Sequence, residues 1–267
     1  MNEILNSEAR FAFRVLVLLI IAAGCTRTPY FKIMNCSVES SVPAGTSLPV
    51  SYLASVSLDF PVVKGDTSHV VTSIRHAIVA NALGWQFDTI DVAKASRVFV
   101  DSLASDFSVL AGEMTGAGLY EGSDDVETME WTETRSGYFA GSRSHYSSYV
   151  IDYYNYSGGA GPDVFTTGLV FDLITGAQMT LDDIFLPEFD DILGSLIRLH
   201  AGECLPEGEV QSDLVHDIMP TGNFVITGNS ITFIYNPYEI TENWQDVIHI
   251  SVPLRECRKA GILAVKL

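Results

Sequence analysis

Basic residues are scarce in this chain: 15 Lys and Arg stand against 33 Asp and Glu, a net charge of −18 over 267 residues. A surface so short of positive charge repels nucleic-acid phosphates and anionic lipid headgroups, which excludes both as partners. It attracts a basic partner and speeds that encounter at low salt, or it serves only to keep the protein soluble. Cysteine is sparse too, with 4 in the chain. No apolar run is long enough to span a bilayer as a helix. Repeats and low-complexity tracts are absent. So are a Gly-x-Ser-x-Gly elbow, a Walker loop, a His-Glu-x-x-His pair and a dinucleotide fingerprint, which leaves the common hydrolase, nucleotide and metalloprotease chemistries without a motif.

What remains is enough for a folded protein. Hydrophobic residues make up 47% and charged residues 18%, so a core can form and disorder is not expected. Residues 15–23 are continuously apolar, follow Arg10 and Arg14, and run into Ala22-Ala23-Gly24-Cys25. A basic flank, a short apolar stretch and small residues before a cut site describe a signal peptide. The pattern resembles a bacterial lipobox, in which Cys25 carries the lipid anchor; an ordinary signal with a chance Cys is the alternative. Residues 1–24 are thus expected to be a lipoprotein signal peptide and 25–32 a tether. Membrane attachment is through lipid only, placing the mature chain outside the cytoplasm in a bacterial cell envelope. Export favours disulfides, and Cys36, Cys204 and Cys257 allow at most one. Cys204–Cys257 is the expected pair, with three reduced, buried cysteines as the alternative.

Periodicity gives an α+β protein, with mostly antiparallel sheets and helices packed on one face. Residues 30–63 read as strands, with Val50, Tyr52 and Ala54 alternating against Leu53, Ser55 and Ser57. Residues 67–83 and 91–111 read as amphipathic helices, the second presenting Ala95, Phe99, Leu103, Phe107 and Leu110. Four glycines in 112–125 read as a loop between two subdomains: 33–118, an α+β unit, and 119–267. From about 126 to 174 the chain is β-rich. Tyr146, Tyr149, Tyr153, Tyr154 and Tyr156 crowd one strand, in half-buried structural roles or as an exposed platform. Phe165, Thr167, Leu169, Phe171 and Leu173 line one face of the next. Residues 188–202 read as a helix with Ile192, Leu196 and Leu199 inward, and 209–218 as a further one. Phe224–Ile226, Ser230–Tyr235 and Val247–Val252 read as strands, the first two joined by a Thr227-Gly228-Asn229 turn.

Candidate chemistry is thin. His200 and Cys204 sit one helical turn apart, but two ligands do not make a structural zinc site. Asp124-Asp125, Asp182-Asp183 and Asp190-Asp191 lack the spaced oxygens of a calcium loop, and read as loop or helix N-terminal charges. No catalytic residue, metal or cofactor is assigned. Two segments carry more detail than a plain core requires. In Tyr156-Ser157-Gly158-Gly159-Ala160-Gly161-Pro162, three glycines allow positive φ and close backbone approach, or simply a flexible hairpin. In Tyr235-Asn236-Pro237-Tyr238-Glu239-Ile240, Pro237 ends a strand and Tyr and Glu offer a polar rim, or a rigid loop packed on its own domain. Candidate binding residues are therefore Tyr156, Ser157, Gly158, Gly159, Ala160, Tyr235, Tyr238 and Glu239.

These two segments, with Phe171-Asp172-Leu173, Thr175-Gly176 and Leu181-Asp182-Asp183-Ile184-Phe185 between them, are similar in order and wording to the RsiV-like domain family. That family supplies the extracellular end of the lysozyme-sensing anti-sigma factor RsiV and accompanies the deacetylase domain of PdaC. The resemblance covers residues 119–267 by motif and the preceding part by layout. It implies a two-part α+β envelope module that binds a protein such as lysozyme, or peptidoglycan. No deacetylase domain or anti-sigma segment is present in this chain, and Gly161 stands where the family often has His. The expectation is a non-catalytic lipoprotein of the envelope. The alternatives are a hydrolase of peptidoglycan or another carbohydrate, using paired carboxylates, and a structural or assembly protein.

Overall fold

The computed structural model describes residues 31–45, 49–63, 68–87, 91–117, 129–158, 161–202, 204, 218–240 and 246–267. Five strands form one sheet in the order β1-β2-β3-β4-β5: β1 Lys32–Val42, β2 Val50–Val62, β3 Met129–Arg143, β4 Tyr146–Tyr156 and β5 Asp163–Asp172. All neighbours are antiparallel except β2 and β3. A parallel pair needs a long crossover. Here it carries two helices, α1 His69–Leu83 and α2 Val92–Gly116.

The alternation in β2 explains where those helices go. Val50, Tyr52, Ala54, Val56 and Leu58 are buried while the residues between them are not, so one face is apolar. On α1, Val71, Ile74, Ile78 and Leu83 form the matching stripe; on α2 it is Val92, Ala95, Phe99, Val100 and Phe107. Phe107 stacks on Tyr52 at 4.8 Å and meets Trp131 edge-on at 5.6 Å. Asp91 opens α2 by accepting from the N–H groups of Ala93 and Lys94 at 3.0 and 3.3 Å. The helix runs to Gly116, through the first glycines expected to be loop, and Leu110 faces solvent.

A second, three-stranded antiparallel sheet has the order β6-β7-β8: Phe224–Thr227, Ser230–Tyr235 and Ile248–Pro253. Through β6 it packs on β3, β4 and β5. A short helix α3, Leu181–Ile184, then α4, Asp190–Ala201, and α5, Leu254–Lys259, complete the chain. Together α4 and the small sheet close a second core that includes Phe185, Leu193, Ile197, Phe224, Phe233, Ile250 and Val252. The buried stripe of α4 is Leu193, Ile197 and Ala201, continuing from Phe189. Ile192 and Leu199, expected inward, are exposed, and Leu196 is only partly covered. Both sets recur at helical spacing; the set in line with Phe189 faces the small sheet.

Residues Phe31–Leu267 form one compact unit. Strands from both sides of residue 118, the expected subdomain boundary, join in the same sheet through β2 and β3. The two cores are divided by layer instead. On β4, Tyr149 and Ile151 belong to the helix-covered core and Tyr146 to the other. Tyr146 and Tyr149 are buried, Tyr153 and Tyr156 half-buried and Tyr154 exposed.

The Cys204–Cys257 bridge is not formed. Cys257 is buried on α5, where burial pushes its thiol pKa up to about 11. Cys204 is exposed just past α4, its Sγ 3.7 Å from the His200 carbonyl. The two helices meet instead through His200 Nε2 and Glu256 Oε2 at 2.9 Å.

Two glycines predict opposite stability changes. A methyl at Gly168 would lie 2.7 Å from the Phe224 carbonyl oxygen, so Gly168→Ala is expected to cost about 1–3 kcal/mol by forcing β5 and β6 apart. Gly112, inside α2, has no atom within 4 Å of the added methyl, and Gly112→Ala is expected to stabilise by up to about 1 kcal/mol. Urea-denaturation midpoints of the two variants check both signs.

Candidate functional site

Tyr235, Glu239 and Ile240 of the Tyr235–Ile240 segment line a cavity. This is an open groove of about 580 Å³ with two walls: Ile218-Met219-Pro220-Thr221-Gly222 on one side, and Tyr235, Glu239 and Ile240 on the other. Its construction starts at the edge of the large sheet. β5 is an edge strand, and edge strands leave unpaired backbone groups. Asn223, the residue after the first wall, accepts from Gly168 N–H at 2.6 Å and donates to the Thr166 carbonyl at 2.8 Å. Asn236, inside the second wall, accepts from Thr166 N–H at 2.7 Å. Two amide side chains thus satisfy the edge of β5 and fix both walls against it.

The walls are also tied to each other. Tyr235 is buried and its hydroxyl donates to the Met219 carbonyl at 2.8 Å. Ile234 N–H donates to the Asn223 carbonyl at 2.9 Å. Arg198 of α4 donates to the Ile218 carbonyl at 3.1 Å. Burial, helped by the Glu239 charge, pushes the Tyr235 phenol far above its ordinary pKa, so it stays a neutral hydrogen-bond donor. Pro237 bends the chain away, and Glu239 Oε2 accepts from Asn236 N–H at 2.8 Å to close the turn. Tyr238 sits at φ +68° and is 60% exposed. A groove cross-braced in this way offers a Tyr ring, a carboxylate and backbone groups without rearrangement.

Tyr156, Ser157 and Gly158 of the other candidate segment do not line this groove. Tyr156 ends β4 and is half-buried, and Ser157 is exposed. At Gly158, φ is +86°, and an added methyl would lie 3.3 Å from the Trp131 indole nitrogen, so a glycine fits both conformation and space. Gly159 and Ala160 lie outside the described residues, as do Cys25 and residues 209–217 of the expected helix. The groove takes its walls from Tyr235, Glu239 and the unforeseen 218–222 segment, whose Pro-Thr-Gly-Asn run carried a turn signal in the sequence.

A second cavity, of about 340 Å³, lies on the helix-covered face. It is lined by Ala80–Gly84 at the end of α1, Arg135 of β3, Ile151 and Tyr153 of β4, and Phe165 and Thr167 of β5. Arg135 Nη2 pairs with Glu133 Oε1 at 2.9 Å, and the guanidinium lies 3.8 Å from the centre of the Tyr153 ring. Tyr52 donates to Glu133 Oε2 at 3.4 Å. Burial pulls the Arg135 pKa down, with Glu133 opposing it. Sequence could have flagged this pair, since Glu133 and Arg135 are two apart on one strand and share the face of Trp131 and Phe139.

Among the described residues, neither of these two cavities is lined by two carboxylates. Among the described residues there is no cluster of three or more His, Cys, Asp or Glu fit for a metal, and no helix long and apolar enough to cross a membrane.

Solved structures share this architecture. One is a DUF3298 family member from Bacteroides fragilis: TM-score 0.76 and 20% identity, over 90% of this chain and 96% of that one. The fold is that of a DUF3298 protein. A DUF3298 family protein from Pseudomonas aeruginosa is similar at TM-score 0.58 and 12% identity, over 88% and 95% of the two chains. No protein-family model and no curated protein matches the sequence.

The braces of the groove make it sensitive to Asn223. Asn223→Ala leaves a backbone N–H and a carbonyl of β5 without partners and is expected to cost about 1–3 kcal/mol. Amide exchange at Gly168 should rise with it. Unchanged exchange and midpoint would dissociate Asn223 from the seam.

Proposed function

We propose that this chain is a non-catalytic, lipid-anchored protein of the bacterial envelope that captures a basic protein, of the lysozyme type, in the groove between residues 218–222 and 235–240. The observation that carries this reading is the groove itself. Its second wall is the Tyr-Asn-Pro-Tyr-Glu-Ile segment on which the resemblance to RsiV-like domains rests, and those domains are related to the DUF3298 family whose fold the chain shares. Charge supports it: at −18 the chain attracts a cationic protein over long range, and Glu239 puts a carboxylate at the site of contact. Tyr238, exposed on the turn between Tyr235 and Glu239, adds an aromatic side chain of the kind that dominates protein interfaces. Anchoring rests on the Ala22-Ala23-Gly24-Cys25 sequence.

Two experiments test this. In the first, immobilised protein is challenged with hen lysozyme at low and moderate salt. Retention is expected at both, with Glu239→Gln weakening it about two- to fivefold, because a rim charge is worth up to about 1 kcal/mol. Retention of purified peptidoglycan with no retention of lysozyme would move the ligand to the polymer, and retention of neither would end the binding reading. In the second, Cys25→Ala is fractionated from whole cells. It should leave the membrane fraction; unchanged membrane association would remove the lipid anchor.

A further inference from the structure

We infer that the groove between residues 218–222 and 235–240 takes a lysine side chain of the partner, with its ammonium on Glu239 and its stem against the apolar lining. The inference rests on the reading of this groove as the place where a basic protein is captured, and narrows it from a charged protein to one residue type. It starts from what the lining offers. Ile218, Met219, Pro220 and Ile240 supply hydrocarbon, and Tyr235 adds a ring. Met219 is 51% exposed, so part of that hydrocarbon is open to an incoming side chain. Glu239 is exposed and is the only charged residue among those that line the groove. Arg198 braces the first wall through the Ile218 carbonyl and is not part of the lining.

Hydrocarbon with a single carboxylate is the complement of a long apolar stem that ends in a cation. Lysine and arginine both have that form, and both lay their stems on apolar surface while the charged head stays near water. An anionic side chain is repelled twice, by Glu239 and by the net charge of −18. At about 580 Å³ the groove has room for such a side chain and for the backbone that carries it.

The state of Glu239 separates the two cations. Arginine binds a carboxylate best through its fork, with two parallel N–H···O bonds that use both oxygens. Here Oε2 already accepts from Asn236 N–H at 2.8 Å, and that bond closes the turn of the second wall. A fork would compete with it. An ammonium is a compact point charge that needs one oxygen, so lysine leaves the turn as it is. The openness of the groove lets the strongly hydrated ammonium keep part of its water.

The test is a titration of the isotope-labelled full chain followed by NMR at the amides of Gly222, Glu239 and Ile240. Three probes are compared: the N-acetyl N′-methylamides of lysine, of arginine and of norleucine, which has the apolar stem without the charge. Saturable shifts at millimolar concentration are expected with the lysine probe, and binding about fivefold weaker with norleucine, the worth of one exposed ion pair. The arginine probe should also bind more weakly than lysine. Glu239→Gln should bring lysine down to the level of norleucine. Met219→Ala should weaken lysine about two- to threefold by removing hydrocarbon from the lining. It keeps the backbone carbonyl that Tyr235 uses, so the brace between the walls survives. The inference is overturned if the lysine probe does not saturate, if arginine or norleucine binds as tightly, or if folded Glu239→Gln binds lysine as the parent does. Retention of lysozyme is scored separately. Lysozyme held while the lysine probe fails removes the anchor and keeps capture; the lysine probe bound while lysozyme is not held keeps the anchor and removes lysozyme.

Discussion

The arrangement of the molecule turns on the outer edge of β5. An unpaired sheet edge has to be satisfied or covered, and here Asn223 and Asn236 do it with side chains. Gly168 makes this contact feasible, because nothing larger fits under the Phe224 carbonyl. Ser148 adds a bond from the centre of β4, accepting from Ile226 N–H at 2.8 Å and donating to its carbonyl at 2.7 Å. From these contacts follow the placement of the small sheet, the enclosure of the second core and the spacing of the groove walls. The groove is a by-product of sealing an edge, which is why its geometry is fixed before any ligand arrives.

The two cavities differ in character for a physical reason. The groove between residues 218–222 and 235–240 is built from braced backbone, with its polar side chains already engaged: Tyr235 with Met219, Glu239 with Asn236. It suits a partner that brings its own charges and aromatic rings to a rigid surface. The cavity at the end of α1 is lined by the rings of Tyr153 and Phe165 and by Arg135, which is paired with Glu133 and stacked on Tyr153.

Much of the fold was legible because local periodicity matched the burial. The alternation in Val50–Leu58 and the stripe Val71, Ile74, Ile78 on α1 are of this kind. Where two apolar stripes competed, as on α4, spacing alone could not choose between Ile192–Leu196–Leu199 and Leu193–Ile197–Ala201. Only the position of Phe189 and the small sheet decides it. Parallel pairing of β2 with β3 is invisible locally, since those strands are joined across more than 60 residues; hence the glycine-rich stretch passed for a domain boundary. At the candidate site, the Tyr235 and Glu239 wall was legible through Pro237 and its neighbours. The 218–222 wall was not, because its role depends on a side chain, Asn223, reaching a strand more than 50 residues away.

Strand β4 also governs how the protein comes apart. Its odd residues, Tyr149 and Ile151, are buried under the helices, while Tyr146, Ser148 and Val150 are buried under the small sheet. Peeling away either covering layer leaves one face of β4 dry and the strand still paired on both sides with β3 and β5. The amides at its centre are therefore protected by both layers and by pairing on both sides, and among the described residues they belong with the slowest to exchange hydrogen.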